Sequence, residues 1–197
     1  SFGVQQAQAL ARRLRKTFHL AGRKTDYNYR LDTPDRIGQA GIHKIGLGVL
    51  LGLEDWRTDS FFCALHQNYL QKNYWKTKYS ISFPRLRPHV GSFKPPHSIS
   101  DAQFVQLICA YRLFNPDLEL SLSTREMPLL RDNMIQLGIT AMSAGSSTAP
   151  GGYADDCPAL EQFEVGDSRS PVEMCQTIKK HGYEAVWKDW DGVYSKH

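Results

Sequence analysis

The sequence predicts an α/β protein built on a parallel sheet and organised as part of a (β/α) TIM-like barrel. Three observations carry this. Four strand-like segments, Ile42–Gly52, Ile81–Pro88, Leu118–Glu126 and Ile139–Ser147, each end in a cluster of Gly, Arg, Ser or Thr. Helix-like stretches separate them, and parallel neighbours need such crossovers. The chain has 197 residues and fewer than eight countable units, whereas a complete eight-stranded barrel takes about 200 to 250 residues or more. In this architecture the site lies at the carboxyl ends of the strands, so the four terminal clusters are where function is expected.

Taken in order, residues 5–18 read as a helix, with Ala7, Leu10, Leu14 and Phe18 on one face and Arg12, Arg13, Arg15 and Lys16 around the rest. The basic cluster can be a phosphate contact or a solvated face. Thr33 to Gly41 reads as a short helix with an N-cap Thr, Pro34 at the first helical position and a terminal Gly. The strand 42–50 follows it. A longer helix fits 59–73, with Phe62, Leu65 and Tyr69 at helical spacing and Phe61 beside them. Tyr79–Phe83 is a strand ended by Pro84 and Pro88, and 91–98 is loop. Ser100 and Gln103 form a capping box for a helix whose inner stripe is Phe104, Leu107, Ile108 and Tyr111. The strand 118–122, a helix near 128–137 and the short strand 139–143 come next. Residues 144–157 form a long polar loop of the kind that is usually functional. Ser170 and Glu173 make a second capping box, opening a helix that stops at Gly182, and Tyr183–Trp187 is the last expected strand.

Composition narrows the classes. Twenty-four Lys and Arg against 20 Asp and Glu is too mild a basic balance to argue for nucleic-acid binding. No run of 18 apolar residues occurs, so no membrane-spanning helix is expected. The start carries neither a signal pattern nor an initiator Met, which is compatible with a fragment or a processed start. The four cysteines, Cys63, Cys109, Cys157 and Cys175, have no short spacing between any two. This argues against a zinc or iron–sulfur motif carried by this chain, and a reducing cytoplasm is the natural compartment.

The strand ends offer binding chemistry. Gly46, Gly48 and Gly52 let a backbone approach a flat ligand, with Leu50 and Leu51 against its face. Arg85, Arg87 and Arg125 each bring a planar fork that can hold a carboxylate in two parallel hydrogen bonds. The opposing reading is a structural ion pair with a nearby acid such as Glu126, and from composition both stay open. Ser143, Ser146, Ser147 and Thr148 add neutral donors and acceptors. Asp155 and Asp156 can act as paired acids or as loop caps. Cys63 and His66 lie one turn apart, a pair too small for a metal site. No nucleophile stands beside a base and no Walker loop occurs.

Together, Tyr29–Arg36, Lys44–Asp59, Ser80–Pro88, Leu120–Glu126, Pro150–Asp156 and Val186–Asp191 resemble the C-terminal half of the 2-iminoacetate synthase family, the tyrosine lyases of thiamine thiazole biosynthesis. The resemblance runs from about His19 onward. It implies that 19–197 is the C-terminal part of a radical S-adenosylmethionine (SAM) barrel with a biotin/thiamin-synthesis-associated region, preceded by a divergent helix at 1–18. In this family SAM is cleaved at a [4Fe-4S] cluster, hydrogen is taken from the amino group of L-tyrosine, and the Cα–Cβ bond breaks to p-cresol and 2-iminoacetate. By resemblance, Arg30 holds the SAM carboxylate, and Gly48 to Gly52, with Leu50 and Leu51, pack on the adenine. Arg125 clamps the tyrosine carboxylate and Ser143 meets the amino end, while Arg85 and Arg87 line the same cavity in roles the resemblance leaves unassigned. No residue here is implied to be catalytic or to bind metal, because the Cys-x3-Cys-x2-Cys cluster motif belongs to an N-terminal half whose pattern is missing from this sequence. The implied partners are that half, L-tyrosine and the thiazole synthase of the pathway. Alone, the chain is expected to be inactive.

Two alternatives stand beside this reading. The related tyrosine lyase of hydrogenase maturation, which makes CO and cyanide, shares the Pro-Arg-Leu-Arg-Pro and Ser-Thr-Arg-Glu elements but carries a C-terminal cysteine cluster, and no cysteine follows Cys175 here. A non-catalytic remnant or interaction fragment would leave an open sheet edge prone to aggregation.

Overall fold

A computed structural model of the chain describes residues 26–86, 95–148 and 164–187. The elements are α1 (Tyr27–Leu31), α2 (Thr33–Gln39), β1 (Lys44–Gly48), α3 (Trp56–Asn73), β2 (Lys78–Ser82), α4 (Asp101–Phe114), β3 (Glu119–Leu122), α5 (Pro128–Met134) with a 3-10 turn at Ile135–Leu137, β4 (Ala141–Met142) and α6 (Pro171–Lys180). The expected helix at 5–18 lies outside the described residues. The chain divides into two compact units, residues 1–45 with 65–78, and residues 46–64 with 79–197.

In the first unit, Asp26 caps α1 through a bond from the Tyr29 amide, 3.0 Å. The next cap falls on Asp32, so Thr33 is already helical. Gly38 lies against the Tyr74 ring, where an added Cβ would come within 2.5 Å of ring carbons. The Tyr74 hydroxyl donates to Asp35, 3.1 Å, and Thr77 donates to the Ile42 carbonyl, 3.1 Å.

The sheet has the order β1-β2-β3-β4. The β2/β3 and β3/β4 pairs are parallel, with Ser82 opposite Ser121 and Leu122 opposite Met142. Beyond β1, Leu51 and Arg85 continue as a parallel bridge. Along β3 and its extension, Leu120, Leu122, Thr124 and Glu126 are buried while Ser121, Ser123 and Arg125 are half-buried. That alternation assigns the two faces. One face, with Tyr79, Ile81 and Phe83 on β2, is core. The other carries Gly46 and Gly48, Ser80 and Ser82, and Ser121 and Ser123.

Helix α4 has the capping box that the sequence predicts, and Phe104, Leu107, Ile108 and Tyr111 are all buried. Burying such side chains is worth about 1.5–3 kcal/mol apiece. The Tyr111 ring meets Phe83 edge to face, centroids 4.8 Å apart, and its hydroxyl donates to the Ser60 carbonyl, 2.5 Å. The capping box of α6 is also formed, and Gly182 ends that segment at φ +83°.

Besides the cap at Asp32, two further expectations are corrected. The inner line of α3 is Trp56, Ser60, Gln67 and Leu70, while Phe61, Leu65 and Tyr69 are exposed. The small Ser60 is what lets Tyr111 reach the α3 backbone. Residues Tyr183–Trp187 form no strand. Tyr183, Val186 and Trp187 are exposed, and the Tyr183 amide is taken by the Ile178 carbonyl in the helix-ending turn, 3.1 Å. Aromatic and β-branched residues favour a strand only where a neighbouring strand offers its edge.

Candidate functional site

At the end of β2, Arg85 turns to the core face and is buried. Its Nε donates to both carboxylate oxygens of Glu126, 3.0 Å each, and a terminal nitrogen also donates to Glu126 Oε2. The other terminal nitrogen donates to Asp101, 2.7 Å, and to the Ile99 carbonyl, 3.3 Å. The guanidinium lies 4.8 Å from the Phe104 ring centroid. Burial by itself would lower the Arg85 pKa, but the bonds to Glu126 and Asp101 outweigh it and hold the value above the ordinary one. Of the two readings open in the sequence, the ion pair with Glu126 is therefore present.

Arg125 follows in the alternation, between two buried neighbours. On one side, the Thr124 carbonyl accepts from the amides of Gly166 and Asp167, 2.8 and 3.0 Å. On the other, Glu126 is paired with Arg85. Arg125 is half-buried, and its amide meets Ser123 Oγ at 3.3 Å. Gly166 must lack a side chain, because a Cβ there would sit 2.6 Å from the Arg125 carbonyl.

At the end of β4, the Ser143 amide donates to the Leu122 carbonyl, 3.0 Å, and Ser143 is exposed. Its carbonyl accepts from Arg131, whose other terminal nitrogen donates to Asp167. Both charged side chains are completely buried. Arg169 surrounds the same carboxylate, Nε to Oδ1 at 2.9 Å and a terminal nitrogen to Oδ2 at 2.6 Å, and reaches Asp132 at 2.8 Å. Burial pulls the Arg131 pKa down, and its buried Nε has no hydrogen-bond partner. Burial also pushes Asp167 upward, but the bonds from Arg169 and the charge of Arg131 win and hold its carboxyl below the usual range.

At the end of β1, Gly48 and Leu50 are exposed and Leu51 is buried. A Cβ on Gly48 would meet Ser82 Oγ at 3.1 Å. Gly52 needs to be glycine: its φ is +121°, and a Cβ would meet Leu86 at 3.2 Å and the His97 carbonyl at 3.3 Å. Beyond it, Glu54 lies 3.7 Å from His97. Burial, then the charges of Glu54 and Asp55, push the Asp59 carboxyl up to about 6.

Of the predicted site residues, the second unit brings Arg125 and Ser143 to adjacent strand ends, with Gly48 to Gly52 at the end of β1 and Arg85 bonded to Glu126 on the core face. Arg30 is an exposed residue of α1 in the first unit. Arg87, Asp155, Asp156, Cys157 and the 188–191 motif lie outside the described residues. Cys63 is half-buried, and desolvation drives its thiol up to about 11. The sequence reading missed Arg131, Asp167 and Arg169. Its available signal was a charged Arg131 on the same helical face as Met134 and Ile135, where an apolar residue is expected. Among the described residues, no group of three or more His, Cys, Asp and Glu could hold a metal ion, and no helix is long and apolar enough to cross a membrane.

Comparison with known proteins places these features. Residues 82–184 match the Biotin and Thiamin Synthesis associated domain. The chain is 53% identical to the 2-iminoacetate synthase of Salmonella typhimurium over 174 residues, covering 88% of this chain and 46% of that protein. It is 53% identical to that of Escherichia coli over 179 residues, covering 90% and 48%. Among solved structures it is similar to a crystal structure of HydG, a maturase of the [FeFe]-hydrogenase, with TM-score 0.79, 40% identity and coverage of 87% and 38%. HydG from Carboxydothermus hydrogenoformans gives TM-score 0.77, 35% identity and coverage of 87% and 39%. The chain thus spans about half the length of the curated relatives it matches.

Proposed function

Because the chain belongs to the Biotin and Thiamin Synthesis associated domain family, we propose that it is the C-terminal part of a radical SAM tyrosine lyase. The reaction is cleavage of L-tyrosine to p-cresol and 2-iminoacetate, with the imine passed to a thiazole synthase. The observation that carries the reading is the face opposite the core. Parallel sheets covered on both sides carry bulky apolar residues on both. Here the second face is lined by Gly46, Gly48, Ser80, Ser82, Ser121 and Ser123 and ends at Arg125 and Ser143. Such a face suits the interior of a partial (β/α) barrel that holds a polar ligand at its strand ends.

In this proposal Arg125 takes the tyrosine carboxylate in a bidentate pair and Ser143 meets the amino end. Leu50 lies on the adenine of SAM, which the backbone from Gly48 to Gly52 approaches. The buried Leu51 fixes that strand end, and Arg30 holds the SAM carboxylate. Arg85 supports Arg125 through Glu126, and Arg87 belongs to the same cavity. Bound at a [4Fe-4S] cluster, SAM supplies the radical chemistry. The described cysteines do not form a set that fits a cluster, so its ligands are assigned to an N-terminal half. In this reading residues 19–197 belong to the barrel portion, and residues 1–18 are a divergent leading segment. This chain's own task is to hold substrate and cofactor rigidly together.

The test joins the chain to the N-terminal half of a 2-iminoacetate synthase, reconstitutes the cluster without oxygen, and supplies SAM, reductant and L-tyrosine. p-Cresol with glyoxylate, the hydrolysis product of the imine, is expected. A folded, cluster-loaded protein that makes no p-cresol rejects the proposal. The fold likeness to HydG supports hydrogenase maturation as a second reading, and CO and cyanide beside p-cresol would select it.

A further inference from the structure

The reading above needs two contacts on one substrate: Arg125 on its carboxylate and Ser143 at its amino end. In an α-amino acid these groups share a single carbon, so the two strand ends must be held at a fixed separation. The β3/β4 pairing ends early, since β4 is only Ala141–Met142. What continues the connection is a buried ion pair. Arg131 donates to the Ser143 carbonyl and to Asp167. The amides of Gly166 and Asp167 donate to the Thr124 carbonyl, one residue before Arg125. The path from Thr124 through Asp167 and Arg131 to Ser143 is continuous, and its two charged side chains are fully excluded from water.

Resting on the proposed function, we propose that Arg131 and Asp167 are positioning residues. They set the separation between the carboxylate clamp and the amino-end contact, and so select α-amino acids over β-amino isomers, whose amino and carboxyl groups lie one carbon further apart. Neither residue touches substrate. The requirement for arginine at 131 follows from its fork: one terminal nitrogen serves Asp167 and the other serves Ser143, a division that a lysine ammonium on its flexible stem does not reproduce. Asp167 must stay ionised to hold its side of the link, and Arg169 secures this from the opposite direction.

The experiment uses the assembled enzyme of the preceding test and measures equilibrium binding of L-tyrosine, of 3-amino-3-(4-hydroxyphenyl)propanoate, in which the amino group is one carbon further from the carboxylate, and of SAM. Three variants are compared: Arg131→Lys, Asp167→Asn and Arg125→Lys. For the first two, the preference for L-tyrosine over the β-amino isomer is expected to fall by about tenfold or more, with SAM affinity unchanged; tenfold corresponds to about 1.4 kcal/mol of misplacement. A purely structural role would lower stability and leave that ratio where it was, which overturns the inference. If Arg131→Lys does not fold, Asp167→Asn, which keeps the shape of the side chain, decides by the same ratio. Loss of tyrosine affinity in Arg125→Lys with an unchanged ratio in the other two rejects only the positioning role. No effect of Arg125→Lys on tyrosine binding rejects the underlying reading.

Discussion

Among the described residues two arginines are buried, Arg85 and Arg131, and they are buried differently. Arg85 joins the end of β2 to Glu126 beyond β3, yet one branch of its fork leads outward to Asp101, whose side chain is 68% exposed. Arg131 joins the ends of β3 and β4 through Asp167, and both side chains are completely buried. The first pair keeps an outlet to water. In the second, Asp167 is shared with Arg169, but Arg131 hydrogen-bonds that one carboxylate and the Ser143 carbonyl alone, and its buried Nε has no hydrogen bond. An arginine with an exposed second carboxylate loses only part of its environment when the buried one goes, whereas Arg131 without Asp167 is an uncompensated charge in a low dielectric. The region next to Ser143 is therefore the more brittle of the two.

Truncating the buried carboxylate partner of each arginine tests this most directly. Asp167→Ala should destabilise by about 3–5 kcal/mol, the cost of leaving Arg131 buried without its carboxylate. Glu126→Ala should cost less, about 2–3 kcal/mol, because Arg85 keeps the exposed Asp101 as its second partner. Urea unfolding of the two variants checks the order. Equal losses would mean that the exposed Asp101 gives Arg85 no advantage.

Replacing whole pairs sharpens the contrast at smaller amplitude. Arg85→Met with Glu126→Leu removes both buried charges and leaves only Asp101, which water can solvate. That double variant should lie within about 1 kcal/mol of the parent. Arg131→Met with Asp167→Leu should recover far less of the single-variant loss, because the Ser143 carbonyl and Arg169 remain behind. Thermal or chemical unfolding of both double variants reads the difference. Full recovery in the second would show that Ser143 and Arg169 find other partners.

The same two regions show what could be read from the chain. Local signals carried through: the Ser100/Gln103 and Ser170/Glu173 capping boxes form, and the α4 stripe is buried at all four expected positions. The ends of β2 and β3 were also legible, because Arg85, Arg125 and Glu126 sit in compact polar clusters after apolar runs. The pair next to Ser143 was not. Arg131 and Asp167 are 36 residues apart and lie in a helix and a loop, and no local pattern says which acid a buried arginine will meet. Residues 183–187 failed for the same reason, since strand propensity describes a surface and not a partner. On α3 the exposed Phe61, Leu65 and Tyr69 outweigh Ser60 and Gln67 in any hydropathy reading, yet the space needed by Tyr111 turned the helix the other way.

The smallest expected effect concerns two carboxyls whose environments act in opposite directions. The Asp167 carboxyl is held below its ordinary value, so its contribution to stability is full above the unfolded carboxylate pKa of about 3.9 and is lost as the pH falls through the lower folded value. The Asp59 carboxyl is instead raised to about 6. Its ionised form is disfavoured by folding, so it weakens the protein at neutral pH, and that penalty fades as the pH falls from 6 towards 4. Because Asp59 is only partly buried, solvent reduces the penalty to about 1 kcal/mol. Asp59→Asn should therefore stabilise by about that amount at pH 7 and by almost nothing at pH 4. Urea midpoints at the two pH values decide it. A gain of equal size at both would trace the effect to packing or to the capping of α3, rather than to the charge that Glu54 and Asp55 oppose.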